Sequence, residues 1–274
     1  MSIDVEDYFH VSAFASHVRR EDWDRMPCRV ERNVDAILTM LDQHKTHATF
    51  FMLGWVAERF PGLVRRIVEQ GHELASHGYF HQRATEQSRD EFRQDVKRSK
   101  ALLEDIAGIS VHGYRAPSFS IGHSNPWAIE CLSEVGYRYS SSVYPIRHDH
   151  YGMPDAPRFA FLPDGGRGLL ELPLTTVRLF SHNVPAGGGG YFRLLPYSVS
   201  RWCLARVNTV DRQPCIFYFH PWEIDPAQPR FRCASAMSRF RHYLNLNRTE
   251  ARLRRLLADF AWDPIDRIFL RPRT

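Results

Sequence analysis

The strongest constraint on this 274-residue chain is an alternation. Short β-prone runs recur between helical stretches that carry their own start and stop signals. The runs fall at 2–5, 48–53, 72–76, 111–114, 137–139, 169–172 and 215–219. Behind Asn33, a candidate cap, Ile37, Leu38 and Leu41 repeat at helical spacing. Ser88 and Glu91 form a capping box ahead of Phe92, Val96, Leu103 and Ile106. Asn125 and Pro126 supply a cap and a first-turn proline for a helix that Gly136 ends. Further helices are expected over 199–210 and 249–260. Strands separated by helices are joined by crossovers, which give parallel pairing, so the predicted class is α/β with an open or closed parallel sheet. The glycine-rich, aromatic segment 180–197 is expected to be a long functional or mobile loop.

Composition narrows the class further. The chain is 43% hydrophobic and 24% charged, enough apolar surface for one core and too much for a disordered segment. No repeat or long linker divides it, so a single domain over 1–274 is expected, with a basic helical extension from about residue 230. The longest nearly apolar run, 48–57, is about half a membrane span, and no signal peptide is visible at MSIDVEDYF. These features predict a cytoplasmic protein. Cys28, Cys131, Cys203, Cys215 and Cys233 are odd in number and widely spaced, which suits neither a disulfide framework nor a zinc ribbon. Of the net +5, the segment 230–274 contributes eleven arginines against four acids. Such a tail could meet anionic glycan, lipid headgroups or nucleic acid, but no nucleic-acid motif accompanies it and a solvated helix face explains it as well.

Chemistry concentrates where strands end. The first strand runs into Asp4, Glu6 and Asp7, the third into His77 with His81 four residues on, the fourth into Arg115 and the last into His220. In parallel α/β folds the C-terminal strand ends converge on one face, where sites are built. With 14 histidines in the chain, one H-x-x-x-H pair is weak evidence by itself. Two imidazoles and a carboxylate nevertheless make a catalytic metal set with room for water. On an extended strand Asp4 and Glu6 share a face and Asp7 takes the other.

Together these residues resemble the polysaccharide deacetylase family, carbohydrate esterase family four. ATFFMLGWVAERFPGLVRRIVEQGHELASHGYFH looks like its second strand, helix and histidine motif. IDVED, YRAPSFS and FYFHPWEID stand where the family has its paired acids, its R-x-P and its late histidine. DVEDYFHVSAF, RHDHYGMP, PAGGGGYFRLLPY and HYLNLNRTEARLRRLLADF resemble the branch linked to exosortase exopolysaccharide loci. The resemblance implies a deformed (β/α) barrel of about seven parallel strands and a divalent metal, commonly zinc. It also implies hydrolysis of N-acetyl groups on an amino-sugar polysaccharide or lipid-linked oligosaccharide, with peripheral membrane contact through the latter.

Carried over by position, Asp4 is the general base, His77 and His81 are metal ligands, Arg115 holds the base and His220 is the general acid. The third ligand is Glu6 or Asp7. A backbone N–H near Ser118 and Phe119 would hold the oxyanion. Phe119, Trp127, Tyr191, Phe192 and Trp222 are candidates for stacking on sugars. One departure stands out: related sequences read Y-D-S-S where this chain has Tyr139-Ser140-Ser141-Ser142, so the aspartate that orients the acid is expected to be missing at Ser140, unless a neighbour such as Asp149 or Asp155 supports the histidine. The alternatives are therefore a metal amidohydrolase acting on a non-sugar amide, and a catalytically impaired glycan-binding protein.

Overall fold

The computed structural model describes residues 1–149, 151–164, 168–231 and 234–270. Cys233 and the His150 of RHDHYGMP lie outside the described residues. Each of the seven β-prone runs becomes a strand of one parallel sheet. These are β1 (Ser2–Val5), β2 (Thr49–Met52), β3 (Glu73–Ser76), β4 (Gly113–Tyr114), β5 (Tyr139–Ser140) and β6 (Leu170–Glu171), joined after the hairpin β7 (Thr176–Leu179) and β8 (His182–Pro185) by β9 (Tyr218–Phe219). The order is β6-β5-β4-β3-β2-β1-β9, and every pairing in it is parallel. Register sets Asp4 opposite Phe51, and Phe51 opposite Ala75.

The sheet curls into a deformed barrel. Its two edges are tied across the gap: Thr175 N–H donates to the Ile216 carbonyl and Tyr218 N–H to the Gly187 carbonyl. Helices fill the crossovers: α1 (Val30–Gln43), α2 (Gly54–Arg59), α3 (Pro61–Glu69), α4 (Arg89–Ala107), α5 (Trp127–Val135), α6 (Gly189–Leu194) and α7 (Tyr197–Arg206). The chain continues through α8 (Ala236–Tyr243), α9 (Leu246–Asp259) and α10 (Ile265–Phe269). The apolar stripe of α1 (Val30, Val34, Ile37, Leu38, Leu41) is fully buried, as its spacing requires. The capping box at Ser88 and Glu91 forms in both directions, and Gly136 ends α5 at φ 90°. Among the described residues, no helix is long and apolar enough to cross a membrane.

Two sequence expectations need correction. Helix α1 begins at Val30, so Asn33 is not its cap; its amide lies inside the helix and donates to Asp225. The segment 180–197 is not a long loop but holds β8, α6 and the start of α7. Its glycines answer a packing demand: at Gly188, φ is 112° and a Cβ would sit 2.0 Å from the Tyr218 carbonyl oxygen. Only glycine allows the chain to lie against β9 there. The basic extension is, in turn, integral to the structure. Helix α9 buries Leu246, Leu253, Leu256 and Leu257, and Arg252 donates to the carbonyls of Phe192, Arg193 and Leu195 at the end of α6.

Candidate active site

At the C-terminal end of the barrel lies a cavity of about 680 Å³, lined by Asp4, Glu6, His77, His81, Ser118, Phe119, His220 and Trp222 among others. Asp4 is buried on β1, with Oδ1 accepting a 2.6 Å bond from the Arg115 guanidinium. Arg115 is fully buried and satisfied: it also donates to Ser2 Oγ, the Ser141 carbonyl and Ser141 Oγ, and it lies 4.0 Å over the Phe51 ring. So complete a set of partners fixes the carboxylate without a mobile element.

One residue past β1, the chain turns and Glu6 enters the same cavity. Glu6, His77 and His81 form a group whose donor atoms all lie within 4.8 Å of one another. His77 Nδ1 is 2.8 Å from the Arg115 carbonyl, which can only accept, so the ring proton sits on Nδ1 and Nε2 keeps its lone pair. Burial pushes this imidazole down to about 4, so it stays neutral. His81 adopts φ 54°, a left-handed conformation uncommon for a side-chain-bearing residue. The turn before it is held by Tyr79 N–H donating to the Asp95 carboxylate. His81 Nε2 approaches Glu6 Oε2 to 2.7 Å, yet this oxygen has no aligned hydrogen-bond donor and is buried. Burial would raise the Glu6 carboxyl, but His81, His220 and His77 outweigh it and hold Glu6 well below the usual carboxylate range. A buried carboxylate oxygen with no donor, beside two imidazoles, fits a divalent cation.

Asp7 does not join this group. Its carboxylate faces the other way and accepts the N–H groups of Tyr8, Arg29 and Val30, serving the first turn of α1. Burial raises it to about 6 despite those bonds.

Across the cavity, His220 follows β9. Its Nε2 is 3.5 Å from Glu6 Oε1 and 4.0 Å from Asp4 Oδ2, and its Nδ1 is 2.7 Å from Glu223 Oε1. Burial would lower this histidine, but Glu6, Glu223 and Asp4 together raise it to about 9. Glu223 is itself buried and accepts a 2.6 Å bond from Arg193, whose guanidinium also donates to the carbonyls of His242 and Leu244. Trp222 stacks between His220 and His242, with centroids at 5.0 and 4.2 Å and both angles 15°.

The expectation for Ser140 is thereby overturned. Ser140 is buried in β5, does not line the cavity, and donates to Ser142 Oγ. Neither Asp149 nor Asp155 supports His220: Asp155 pairs with His123, and Asp149 with His148 and Arg241. The carboxylate is Glu223, three residues along on the turn Pro221–Ile224. The pattern H-P-W-E was visible in the sequence, and i,i+3 spacing on such a turn was the signal that could have found it.

Of the candidate aromatics, Phe119 and Trp222 line the cavity. Phe192 is core, edge-on to Phe217 at 5.0 Å, and Trp127 packs edge-on to Phe92. Tyr191 is half-buried against the cluster around Tyr144 and Tyr218, outside the lining. Phe119 N–H donates to the Ala116 carbonyl, so of that pair the Ser118 amide alone remains a candidate oxyanion donor.

A parallel barrel with acids, imidazoles and an arginine gathered at its strand ends is equipped for hydrolytic acid–base chemistry. The comparisons supply the family. A polysaccharide deacetylase model matches residues 22–140, and a domain of unknown function (DUF3473) matches 141–270. Residues 22–140 thus match the polysaccharide deacetylase family. A Bacillus cereus peptidoglycan-N-acetylglucosamine deacetylase is 37% identical over 95 residues, covering 34% of each chain. A Helicobacter pylori peptidoglycan deacetylase is 26% identical over 113 residues, 41% of this chain and 38% of its own. The match therefore spans little more than a third of either relative. A Mycobacterium smegmatis structure assigned as a polysaccharide deacetylase aligns over this whole chain and 91% of its own, with a TM-score of 0.61 and 21% identity. The Puue allantoinase structure aligns over 82% of this chain and 65% of its own, with a TM-score of 0.53 and 16% identity. These structural likenesses establish the fold.

Proposed function

We propose that the protein is a metal-dependent N-deacetylase acting on amino sugars of a polysaccharide or lipid-linked oligosaccharide. The observation that carries this reading is one cavity holding an arginine-fixed Asp4, the Glu6–His77–His81 donor set and a carboxylate-backed His220. A divalent ion held by those three residues, zinc by the nature of the donors, would polarise the acetyl carbonyl and acidify water.

The chain's own residues supply the rest. Asp4, held by Arg115, takes the proton of the attacking water at its Oδ2. The Ser118 main-chain N–H faces the developing oxyanion. His220, with Glu223 holding its Nδ1, donates a proton from Nε2 to the departing amine. Acetate and a free amine result. Phe119 and Trp222 offer aromatic faces to the sugar.

Allantoinase is the activity named for one fold neighbour, which keeps a non-sugar amide as the competing substrate class. Mass spectrometry of an N-acetylated oligosaccharide incubated with the protein, with and without chelator, tests the proposal. Acetyl loss that stops with chelator and in His77→Ala supports it; equal loss in all three, or none with sugar but turnover of ureides, overturns it.

A further inference from the structure

On the flank of the same cavity, beyond the metal group, two nitrogen donors are left over. His10 is 3% exposed and packs edge-on against Phe9, Trp23 and Trp55 at 4.4, 4.4 and 5.0 Å. Its Nδ1 accepts the Asp7 N–H at 2.8 Å. A ring nitrogen that accepts carries no proton, and the apolar surroundings keep the ring neutral, so the proton is on Nε2. His10 is therefore locked as a donor. Its Nε2 is buried and has no hydrogen-bond partner among the described residues. The same holds for Trp23 Nε1, which can only donate. Both residues line the cavity, and Arg20 lies above the Trp23 and Phe80 rings at the rim, at 6.0 and 4.9 Å. Glu21 and Glu86 also line that side, so the flank is not simply cationic.

Two buried donors without acceptors are costly to leave unpaired. Building both into a cavity wall makes sense if a ligand completes them. We propose that His10 and Trp23 form a recognition subsite for an oxygen that can only accept, a carbonyl or carboxylate on a sugar neighbouring the one that is deacetylated. A hydroxyl satisfies such a pair less well, since its own proton then needs an acceptor there. This inference rests on the glycan reading above but concerns substrate choice, not the reaction.

The test uses His10→Asn, whose Oδ1 can still accept the Asp7 N–H while the far donor is lost, and Trp23→Phe, which keeps a ring without N–H. Both are made in metal-loaded Asp4→Asn protein so that ligand persists. Calorimetry compares an N-acetylglucosamine pentamer (carbonyl), an oligomer alternating N-acetylglucosamine with glucuronate (carboxylate) and a glucose pentamer (hydroxyls only). Each variant should lose at least tenfold in affinity for the preferred acceptor-bearing oligomer and little for the glucose one; whichever oligomer the Asp4→Asn protein prefers names the acceptor. In ¹⁵N spectra the His10 ring should be the Nε2–H tautomer, with its proton moving downfield on binding.

Unchanged affinities would mean that the donors rest on neighbouring π faces and would overturn the subsite, as would an Nδ1–H tautomer or equal losses for all three oligomers. Acetyl release by the wild-type protein is read separately, so failure of the deacetylase reading is told apart from failure of this one.

Discussion

The two walls of the cavity are built differently. The wall proposed to carry the base and the metal comes from the ends of β1, β3 and β4, and each side chain is fixed by its immediate surroundings: Asp4 by Arg115, His77 by a carbonyl of the next strand. The acid wall is a relay across distant segments. His220 leans on Glu223, Glu223 on Arg193 of α6, and Arg193 on carbonyls beside α8 and α9. The first wall is as stiff as the sheet. The second is only as good as the docking of the C-terminal helices, so damage far from the chemistry should reach the acid and spare the base.

The largest effect should come from breaking the relay at its buried joint. Arg193→Ala leaves Glu223 enclosed without its guanidinium, which should cost about 3–5 kcal/mol in urea unfolding. Adding Glu223→Gln should recover part of that loss, the sign of a coupled pair. Metal content should stay at the wild-type level if the walls are independent; loss of metal in the folded variant would merge them.

A smaller effect is expected at Ser140. A carboxylate there enters a fully buried position beside Glu171, whose Oε1 already accepts the N–H groups of Ser142 and Val143. Ser140→Asp should therefore destabilise by about 2 kcal/mol or more and bring no gain in turnover. A faster variant with a higher upper limb in its pH profile would return the orienting role to this position.

The smallest effect sharpens the contrast through two buried glutamates with opposite pH signs. Burial would raise Glu223, but Arg193 and His220 outweigh it and lower it, so its stabilising contribution is present above the unfolded value and lost as pH falls. Glu73, at the far end of β3, accepts from the Tyr139 and Thr49 hydroxyls and the Asp266 amide, and burial raises it to about 7. The folded state holds that proton more tightly. Its contribution is full below the unfolded value near 4.5 and lost as pH rises through 7. Glu73→Gln should flatten the stability profile between pH 5 and 8 by about 1–3 kcal/mol, measured by thermal unfolding across that range. An unflattened profile would show that Glu73 titrates like a surface acid.

The same contrast explains what was legible in the sequence. The parallel class and all seven strands followed from the alternation of β runs and capped helices, because local propensity and the global fold agree there. Asp4, Glu6, His77, His81, Arg115 and His220 could be named because each stands at or just past a strand end, while period-two alternation favoured Glu6 over Asp7 and left both as candidates. The acid's support was misplaced to Ser140 because family order was followed where the turn after β9 supplied the carboxylate locally. Arg193 and His242 carry no local signal at all: their roles exist only once α6, α8 and the turn meet. The glycine run at 187–190 looked like a flexible loop because close approach to another strand leaves no trace in sequence beyond the glycines themselves.

One pairing in the sheet has a consequence for how the protein comes into being. Strand β1 lies between β2 and β9, and Ser2 pairs with Tyr218. Asp4 and His220 thus meet only when the first and last strands of the sheet join. Contacts so far apart in sequence carry a large loop-closure cost and form late. During synthesis the Glu6–His77–His81 group can be complete while His220 is still within the ribosome, so on the proposed reading ion uptake would precede turnover. The proposed activity would then begin in one step, at the moment the barrel closes.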